Sequence, residues 1–363
     1  MLMKKFLVSA LTIALSATLL FSTTACGKKN NLHLISLSDE VMDSFIASHK
    51  IDGKYDVYSK VKITHDQYSF IPEDSPVDTI GVSATYIVTN DMPVDQAYNI
   101  TKAIWESKGS IGNDVEKMMD VTKAIVTIGN CKIHPGAAKY YREQNLEITD
   151  DQIATVTATK NIDNVILTTG GTAGTYYAFT NGLQVQLGKK VSGTSFTVQS
   201  SGGSVDNINK INNEAAHIGI VQNDTMVNAY NGLTANFASG AITSFSVIGE
   251  VYSEVVQIVC NDADVNSLAD LKKSKKVVSI GDIGSGVELN AIELFKAYGF
   301  EFKENEKTVG DKKVTSYSSL DFTITNLSAG NSADAMKDGA CDVFFFTSGA
   351  PTTAITELAV ALA

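Results

Sequence analysis

The sequence predicts an α/β fold, and a length of 363 residues favours two domains. Apolar runs of strand length recur from residue 164 onward, and helical segments lie between most of them. The runs are continuous rather than alternating, which is typical of strands in a sheet that is covered on both faces. These runs are NVILTT (164–169), SFTVQS (195–200), HIGIVQ (217–222), FSVIGEV (245–251), VVQIVC (255–260), KVVSIG (276–281) and DVFFFT (342–347).

The part of the chain before residue 164 is predicted to be mainly helical, with one clear strand at 80–89 (IGVSATYIVT). Residues 54–71 are expected to be extended or to form a loop. The predicted helices are 38–48 with Ser38 as its N-cap, 91–107, a polar helix at about 113–126, and a short closing helix at 134–146. Residues 147–163 are polar and rich in threonine, so they are predicted to be a linker.

The first 25 residues have the pattern of an export signal. Lys4 and Lys5 precede an apolar stretch that starts at Phe6, and small residues precede Cys26. Cys26 with the following Gly-Lys-Lys-Asn predicts a bacterial lipoprotein site, with residues 26–31 as a membrane tether. Thr23 stands where such sites usually have leucine. Cleavage by ordinary signal peptidase and an uncleaved anchor are the alternatives.

Composition excludes several classes of site. The formal net charge is −11, which argues against binding to nucleic acid or to an anionic membrane surface. Cys131, Cys260 and Cys341 are far apart and form no CxxC motif, so buried thiols are expected rather than zinc or redox chemistry. The histidines show no HxxxH or HExxH spacing. The sequence therefore predicts neither a metal nor a cofactor.

Three of the predicted strands end in a glycine-rich loop that opens a helix. The loops are GGTAG (170–174), SSGGS (200–204) and GDIGSG (281–286). Helix N-termini present free N–H groups, and glycine lets a ligand approach the backbone. Loops of this kind gather at the carboxyl ends of the strands in open α/β sheets. The three loops therefore predict one site for a small anionic ligand. The single arginine, Arg142, lies near none of them, so backbone N–H groups and hydroxyls must hold the anion.

Other motifs are weak. GGTAG is not GxGxxG, and the chain contains neither a P-loop motif nor a GxSxG motif. A Ser/His/Asp triad stays open from sequence alone, although nothing points to one. His217 lies in an apolar run and is expected to be a core residue rather than a base.

The stretches NVILTTGGTAGTYY, VQSSGGSVDNINKI and IGIVQND resemble the amino-terminal half of TAXI-type solute-binding proteins of tripartite (TRAP) transporters. VYSEVVQIVC, NSLADLKKSKKVVSIGDIGSG and AMKDGACDVFFFTSGAPTTAITELA continue the resemblance, which covers about 164–363. Residues 32–146 also resemble the family, but its carboxy-terminal third: LHLISLSDEVMDSFI, DTIGVSATYIVTNDMPVDQAYNITKAIWES and HPGAAKYYRE. The segment that resembles the family's carboxy-terminal third therefore precedes the segment that resembles its start, which is the order of a circular permutation. Residues 147–163 would join the carboxy-terminus of the family to its amino-terminus. An error or rearrangement in the gene is the alternative.

The resemblance implies a two-lobed periplasmic-binding-protein fold, type II-like, with a ligand cleft between the lobes and a circularly permuted order. The first lobe would be about 91–256, including the linker, and the second would combine 32–90 with 257–363. VVQIVC and IGVSATYIVT would be the strands that cross between the lobes. The resemblance also implies capture of a small carboxylate, such as glutamate, glutamine or 2-oxoglutarate, and delivery to TRAP membrane subunits. No enzymatic activity is implied.

Residues of the family's motifs can be carried over onto this sequence as a predicted ligand site. Gly349-Ala350-Pro351 replaces the family's usual Gly-His-Pro, and Val287 replaces a polar residue, so the ligand is expected to be smaller or more apolar than the family norm. Asp224 would counter an ammonium or cap a helix. The predicted ligand-binding residues are Gly170, Gly171, Thr172, Tyr176, Tyr177, Ser201, Gly202, Gln222, Asp224, Tyr252, Glu254, Ser285 and Gly286.

Three other functions stay open at this point. The same fold could act as a sensory or scavenging binder without a transporter. The chain could be an extracytoplasmic hydrolase that uses Ser285, or a non-functional rearranged copy. Acidic residues in the predicted site favour an amino acid over a plain dicarboxylate, because they would repel an uncompensated carboxylate.

Overall fold

The computed structural model describes residues 31–172, 174–237, 239–309 and 312–363. The predicted export signal (1–25), the proposed lipidation site at Cys26 and residues 26–30 of the tether lie outside the described residues.

The described helices are distributed along the whole of 31–363. They are α1 (Asp39–Ser48), α2 (Val94–Trp105), α3 (Pro135–Glu143), α4 (Thr175–Lys190), α5 (Ser204–Asn212), α6 (Asn223–Asn231), α7 (Gly286–Ala297), α8 (Ala329–Lys337) and α9 (Thr353–Leu362).

Most of the strands belong to one mixed sheet. The strands are β1 (His33–Leu34), β2 (Ser59–Ile63), β3 (Val77–Thr89), β4 (Asn164–Thr168), β5 (Ser195–Gln199), β6 (Ile218–Gln222), β7 (Phe245–Cys260), β8 (Val277–Ser279), β9 (Phe302–Val309), β10 (Lys312–Ser319), β11 (Thr323–Thr325) and β12 (Val343–Ser348).

The sheet consists of two parallel units joined by two long antiparallel strands. Its order is β11-β8-β12-β7-β3-β6-β4-β5, with β1 added on β7 and β2 on β3. Strands β11, β8 and β12 are mutually parallel, and so are β6, β4 and β5. Strands β7 and β3 run antiparallel to each other and to their neighbours in both units. The result is a mixed α/β fold in which β3 and β7 join the two parallel units of one sheet.

The pairing of β7 with β3 is shifted at two points. In each case one residue of β7, Val251 and then Ile248, has no partner on β3. Such an extra residue is a β-bulge, and it changes which side chains share a face of the sheet. The carbonyl oxygen of Ile248 accepts a hydrogen bond of 2.6 Å from the Tyr141 hydroxyl, which in turn accepts one of 3.0 Å from the Trp105 indole. Two buried side chains, linked by a hydrogen bond, therefore satisfy the Ile248 carbonyl at the second register shift.

The sequence-based elements are largely confirmed. Each of the predicted apolar runs contains a strand, and the runs 245–251 and 255–260 merge into the single strand β7. Helices α1, α2 and α3 lie within their predicted ranges, and the Ser38 hydroxyl caps α1 by accepting a hydrogen bond from the N–H of Val41. The predicted strand at 80–89 is longer than expected, since β3 begins at Val77.

The predicted helix at about 113–126 is wrong. The structure has two short 3-10 turns there, Asp114–Met118 and Val121–Lys123. The Asn113 and Asp120 side chains each cap one of these turns, and the Glu116 carboxylate accepts hydrogen bonds from the backbone N–H groups of the preceding loop. Polar side chains here compete with the helix for its backbone groups.

The predicted linker at 147–163 is held against the body of the protein. Ile153 forms an isolated parallel bridge with Ile133. The side-chain amide of Gln96 both donates to the carbonyl and accepts from the N–H of Ile162, at 2.8 and 2.9 Å. The segment is polar, as predicted, and is anchored near both of its ends. The lobe boundaries proposed from the sequence stay a prediction.

Candidate functional site

The three glycine loops meet around one cavity of about 100 Å³. It lies between the two halves of the sheet, because α4 and α5 follow β4 and β5 while α7 follows β8. The lining residues are Gly170, Gly171, Gly174, Thr175, Tyr176, Gly202, Gly203, Ser204, Gln222, Glu254, Asp282, Ser285, Gly286, Val287, Phe346, Thr347 and Ser348.

Helices α4, α5 and α7 all begin at this cavity. Their first residues, Thr175, Ser204 and Gly286, line it, so N–H groups without intrahelical partners lie at its wall. The N-cap of α5 is Gly203, whose φ of 104° is in the region that favours glycine. Each of the three helix N-termini carries a partial positive charge, which suits a small anionic group.

The carboxyl side chains in the cavity have the opposite polarity, because they can become negatively charged but never positively charged. Glu254 is buried and Asp282 is exposed at the rim, and none of the described lining residues is Lys, Arg or His. The Tyr176 hydroxyl donates a hydrogen bond of 2.6 Å to Glu254 Oε2. Burial raises the pKa of Glu254 to about 8. The cavity thus combines backbone donors for an anion with a carboxylate that can accept from a cation.

Gln222 links the cavity to a buried polar network. Its Nε2 donates to Asn290 Oδ1 at 3.0 Å, and the Thr347 hydroxyl donates to the same oxygen at 2.9 Å. Gln222 Oε1 is buried and has no hydrogen-bond partner among the described residues. It packs directly against Gly286, where an added Cβ would lie 1.3 Å from that oxygen. The first and second predicted lobes therefore touch at Gly286, with no space for a side chain.

Eight of the thirteen predicted ligand-binding residues line this cavity, and five do not. Thr172 is exposed, and Tyr177 is half-buried outside the lining. The Ser201 hydroxyl stabilises the glycine-rich loops instead: it donates a hydrogen bond to Thr169 O at 2.8 Å and accepts one from Gly203 N at 3.0 Å.

Asp224 and Tyr252 are buried behind the cavity. Asp224 Oδ2 accepts hydrogen bonds from Tyr58 at 2.8 Å and from Asn290 at 2.6 Å. Burial raises the pKa of Asp224. The Tyr252 ring packs edge-on against Phe179, and its hydroxyl has no partner among the described residues. Both residues can affect a ligand only through their neighbours.

The lining residues at the carboxyl end of β12 were not predicted from the sequence. Phe346, Thr347 and Ser348 form the carboxyl end of that strand. The rule that ligands bind at the carboxyl ends of parallel strands could have found them, although no glycine-rich loop marks the position. Asp282 and Gly203 lie inside two of the glycine-rich loops but were not among the predicted ligand-binding residues.

Within residues 31–172, 174–237, 239–309 and 312–363, no group of three or more His, Cys, Asp or Glu side chains is placed to hold a metal ion. In the same ranges, each helix is too short or too polar to cross a membrane.

Comparison with known proteins gives one family match, and the distantly similar solved structures include two binding proteins. The NMT1-like family matches residues 15–144 and 167–362. A phosphate-binding protein of a phosphate ABC transporter from Streptococcus pneumoniae is 11% identical, with a TM-score of 0.23, over 70% of this chain and 79% of that protein. A substrate-binding protein from Microbacterium hydrocarbonoxydans, solved with 4-hydroxybenzoate hydrazide, is 10% identical, with a TM-score of 0.25, over 75% of this chain and 56% of that protein.

Proposed function

Since this chain belongs to the NMT1-like family of solute-binding proteins, we propose that it captures a small amino acid in the glycine-loop cavity and delivers it to TRAP membrane subunits. The observation that carries this proposal is the charge pattern of the cavity: three helix N-termini face one buried carboxylate. The N–H groups would bind the α-carboxylate, and Glu254 would accept from the α-ammonium.

The same pattern disfavours a plain dicarboxylate. Such a ligand brings two negative charges and no cation, and the described lining residues offer no Lys, Arg or His to pair with the second charge. Asp282 would then repel it, and Glu254, whose pKa is raised to about 8, would offer no positive charge to compensate. A zwitterion such as glutamine matches the cavity better than 2-oxoglutarate does. The small cavity volume and the apolar Val287 and Phe346 in its wall also favour a compact ligand.

The test is a thermal-shift and calorimetry panel on the purified full-length protein. It compares glutamine and glutamate with 2-oxoglutarate and glutarate, which share the carbon chain but lack the ammonium. We expect an amino acid to raise the melting temperature, since a ligand at a hundredfold its Kd adds about 2.7 kcal/mol to the free energy of unfolding. Tighter binding of 2-oxoglutarate than of every amino acid would overturn the assignment of Glu254.

A hydrolase that uses Ser285 is a poorer match to the site. The Ser285 hydroxyl is the N-cap of α7 and accepts a hydrogen bond of 3.1 Å from the N–H of Glu288. No described residue that lines the cavity is a histidine that could act as its base. A sensory or scavenging binder of the same fold fits the cavity equally well. A gene for TRAP membrane subunits beside this one, and co-purification with those subunits, would favour transport.

We also propose that the chain is exported, is anchored through Cys26, and is a circular permutation of its family. Two observations support the permutation. The family matches the chain in two segments that leave out 145–166, which contains the predicted linker. Leu32 and Leu362 pack against the same hydrophobic cluster, which includes Val259 and Phe344. Both ends of 32–363 therefore pack on the same hydrophobic cluster, which agrees with a family connection that was cut there.

Restoring the family's order should leave the protein folded. The variant begins at Asn164, runs to Ala363, continues through a short Gly/Ser linker to Leu32, and ends at Leu146. We expect a melting temperature within a few degrees of the original, because the core contacts are the same and only loop-closure entropy changes. An insoluble or non-cooperatively melting product would contradict the permutation. Circular dichroism and the ligand panel above provide the readouts.

A further inference from the structure

A second cavity lies on the opposite face of the crossing strands from the glycine loops. Its volume is about 400 Å³, and its walls include Glu250 and Ser253 of β7 and Ser83 of β3. Glu254, four residues after Glu250, lines the glycine-loop cavity instead. Without the bulge at Val251, the two carboxylates would share one face of the strand. The bulge therefore gives each cavity its own buried carboxylate.

Glu250 is held in a fixed position in this cavity. Only 7% of the residue is exposed. Its Oε1 accepts two hydrogen bonds from Thr127, from the N–H at 2.8 Å and from the hydroxyl at 2.6 Å. Burial raises the pKa of Glu250 to about 7, so its charge is poorly compensated by the protein. A buried carboxylate in this state is stabilised by a cation that enters the cavity.

The rest of the wall favours an ammonium group with a short apolar body. Ser83 and Ser253 are directly paired across β3 and β7, so their hydroxyls lie side by side near Glu250 and can accept N–H bonds. Met118 and Val126 also line the cavity and are 39% and 66% exposed, which leaves apolar surface for an alkyl chain. Asp120 and Lys123 also line the cavity and bring one charge of each sign; the Thr122 hydroxyl is the main cause that lowers the pKa of Asp120, and Lys123 adds to it.

We propose that the Glu250 cavity is a second ligand site, which takes a primary ammonium compound with a short apolar chain. The ammonium would bind Glu250 and the hydroxyls of Ser83 and Ser253, and its chain would lie against Met118 and Val126. This site is independent of the amino acid cavity, although both touch the same two crossing strands.

The test uses n-butylammonium chloride as the probe and n-butanol, which has a hydroxyl in place of the ammonium, as its neutral counterpart. Titration is followed by NMR at the backbone amide of Thr127, because that amide donates directly to Glu250. We expect a saturable shift with butylammonium and none with butanol. Absence of saturation by butylammonium at tens of millimolar would overturn the proposal.

Three variants decide where the probe binds. Glu250→Gln keeps an oxygen for Thr127 and removes the charge, so we expect at least a tenfold loss of butylammonium affinity. Ser253→Val removes one acceptor without touching the Thr127 bonds and should weaken binding severalfold, which keeps the test valid if Glu250→Gln is unstable. Glu254→Gln is the matched control on the same strand and should bind the probe unchanged. Loss of binding in Glu254→Gln alone would assign the probe to the other cavity and refute the second site.

Discussion

Gly286→Ala is expected to weaken amino acid binding by at least tenfold and to lower the melting temperature by several degrees. The new Cβ would lie 1.3 Å from Gln222 Oε1 and 2.4 Å from Gln222 Cδ, so the Gln222 side chain must move. That movement breaks the hydrogen bond from Gln222 to Asn290 and displaces Gln222 from the cavity wall. Forcing an extra methyl into packed surroundings typically costs about 1–3 kcal/mol. Calorimetry with glutamine or the best ligand of the panel, together with urea unfolding, gives both values.

Gly188→Ala is the matched control. Gly188 lies in α4, and an added Cβ there would meet nothing within 4 Å. Alanine is a better helix former than glycine, so this variant should gain up to about 1 kcal/mol in the free energy of unfolding and should bind ligand unchanged. The double variant Gly286→Ala with Gln222→Ala removes the two contacts with Gln222 and leaves Thr225 Oγ1 at 3.1 Å, so it should recover part of the stability but not the affinity. If Gly286→Ala binds as tightly as the original protein, the contact between Gly286 and Gln222 is not part of the closed site.

Stability is expected to fall as the pH rises from about 6.5 to 8.5, by about 1–2 kcal/mol for Glu254 alone. Burial raises the pKa of Glu254 to about 8, whereas the ordinary value is 4.5. The folded state therefore holds a proton in a range where the unfolded chain has lost it, and stability declines through that range. Glu250 and Glu288, each with a pKa raised to about 7 by burial, act in the same direction.

The contribution of His134 to the pH dependence of stability has the opposite sign and occurs at lower pH. Burial lowers its pKa to about 4 from an ordinary 6.5, so it favours folding as the pH rises towards 6.5 and adds no further change above that. Urea unfolding at pH 6.5, 7.5 and 8.5 should show the decline, and Glu254→Gln should make it shallower. The exposed Glu147→Gln should leave the slope unchanged. A slope of the same size in Glu254→Gln would mean that Glu254 does not hold the proton.

Ligand binding should change the protonation of the same carboxyl. An ammonium beside Glu254 favours its charged form, so binding of an amino acid near pH 7 is expected to release a proton. Calorimetry in buffers of different ionisation enthalpy measures that release directly, and Glu254→Gln should abolish it.

The elements that the sequence predicted correctly are those with a strong local signal. The apolar runs of β4, β6 and β12 are continuous because these strands are covered on both faces. The N-cap at Ser38 could be predicted because serine is a favoured residue at that position before a helix. The hairpin β9–β10 was missed, although its strands are separated in the sequence only by Gly-Asp, a hairpin signal. Its strands are largely polar and charged, so they lack the apolar pattern on which the prediction depended.

The glycine loops of the site could be predicted, but their distances from the other side chains could not. Asp224 follows β6 directly in the sequence, yet its carboxylate is turned towards Tyr58 and Asn290, which come from distant segments. The positions of Glu250 and Glu254 on opposite faces depend on one unpaired residue in β7, and no residue type marks that bulge in the sequence. Tertiary pairing decides such features, so local pattern cannot supply them.

The chain of hydrogen bonds from Trp105 through Tyr141 to Ile248 has a spectroscopic consequence. Trp105 is the single tryptophan of the 363-residue chain, so all indole emission originates at one point. That indole is connected through one phenol to the second bulge of a strand that spans both halves of the sheet. Its emission wavelength and lifetime therefore report the environment of the crossing strand without any attached dye, in stopped-flow mixing as well as at equilibrium.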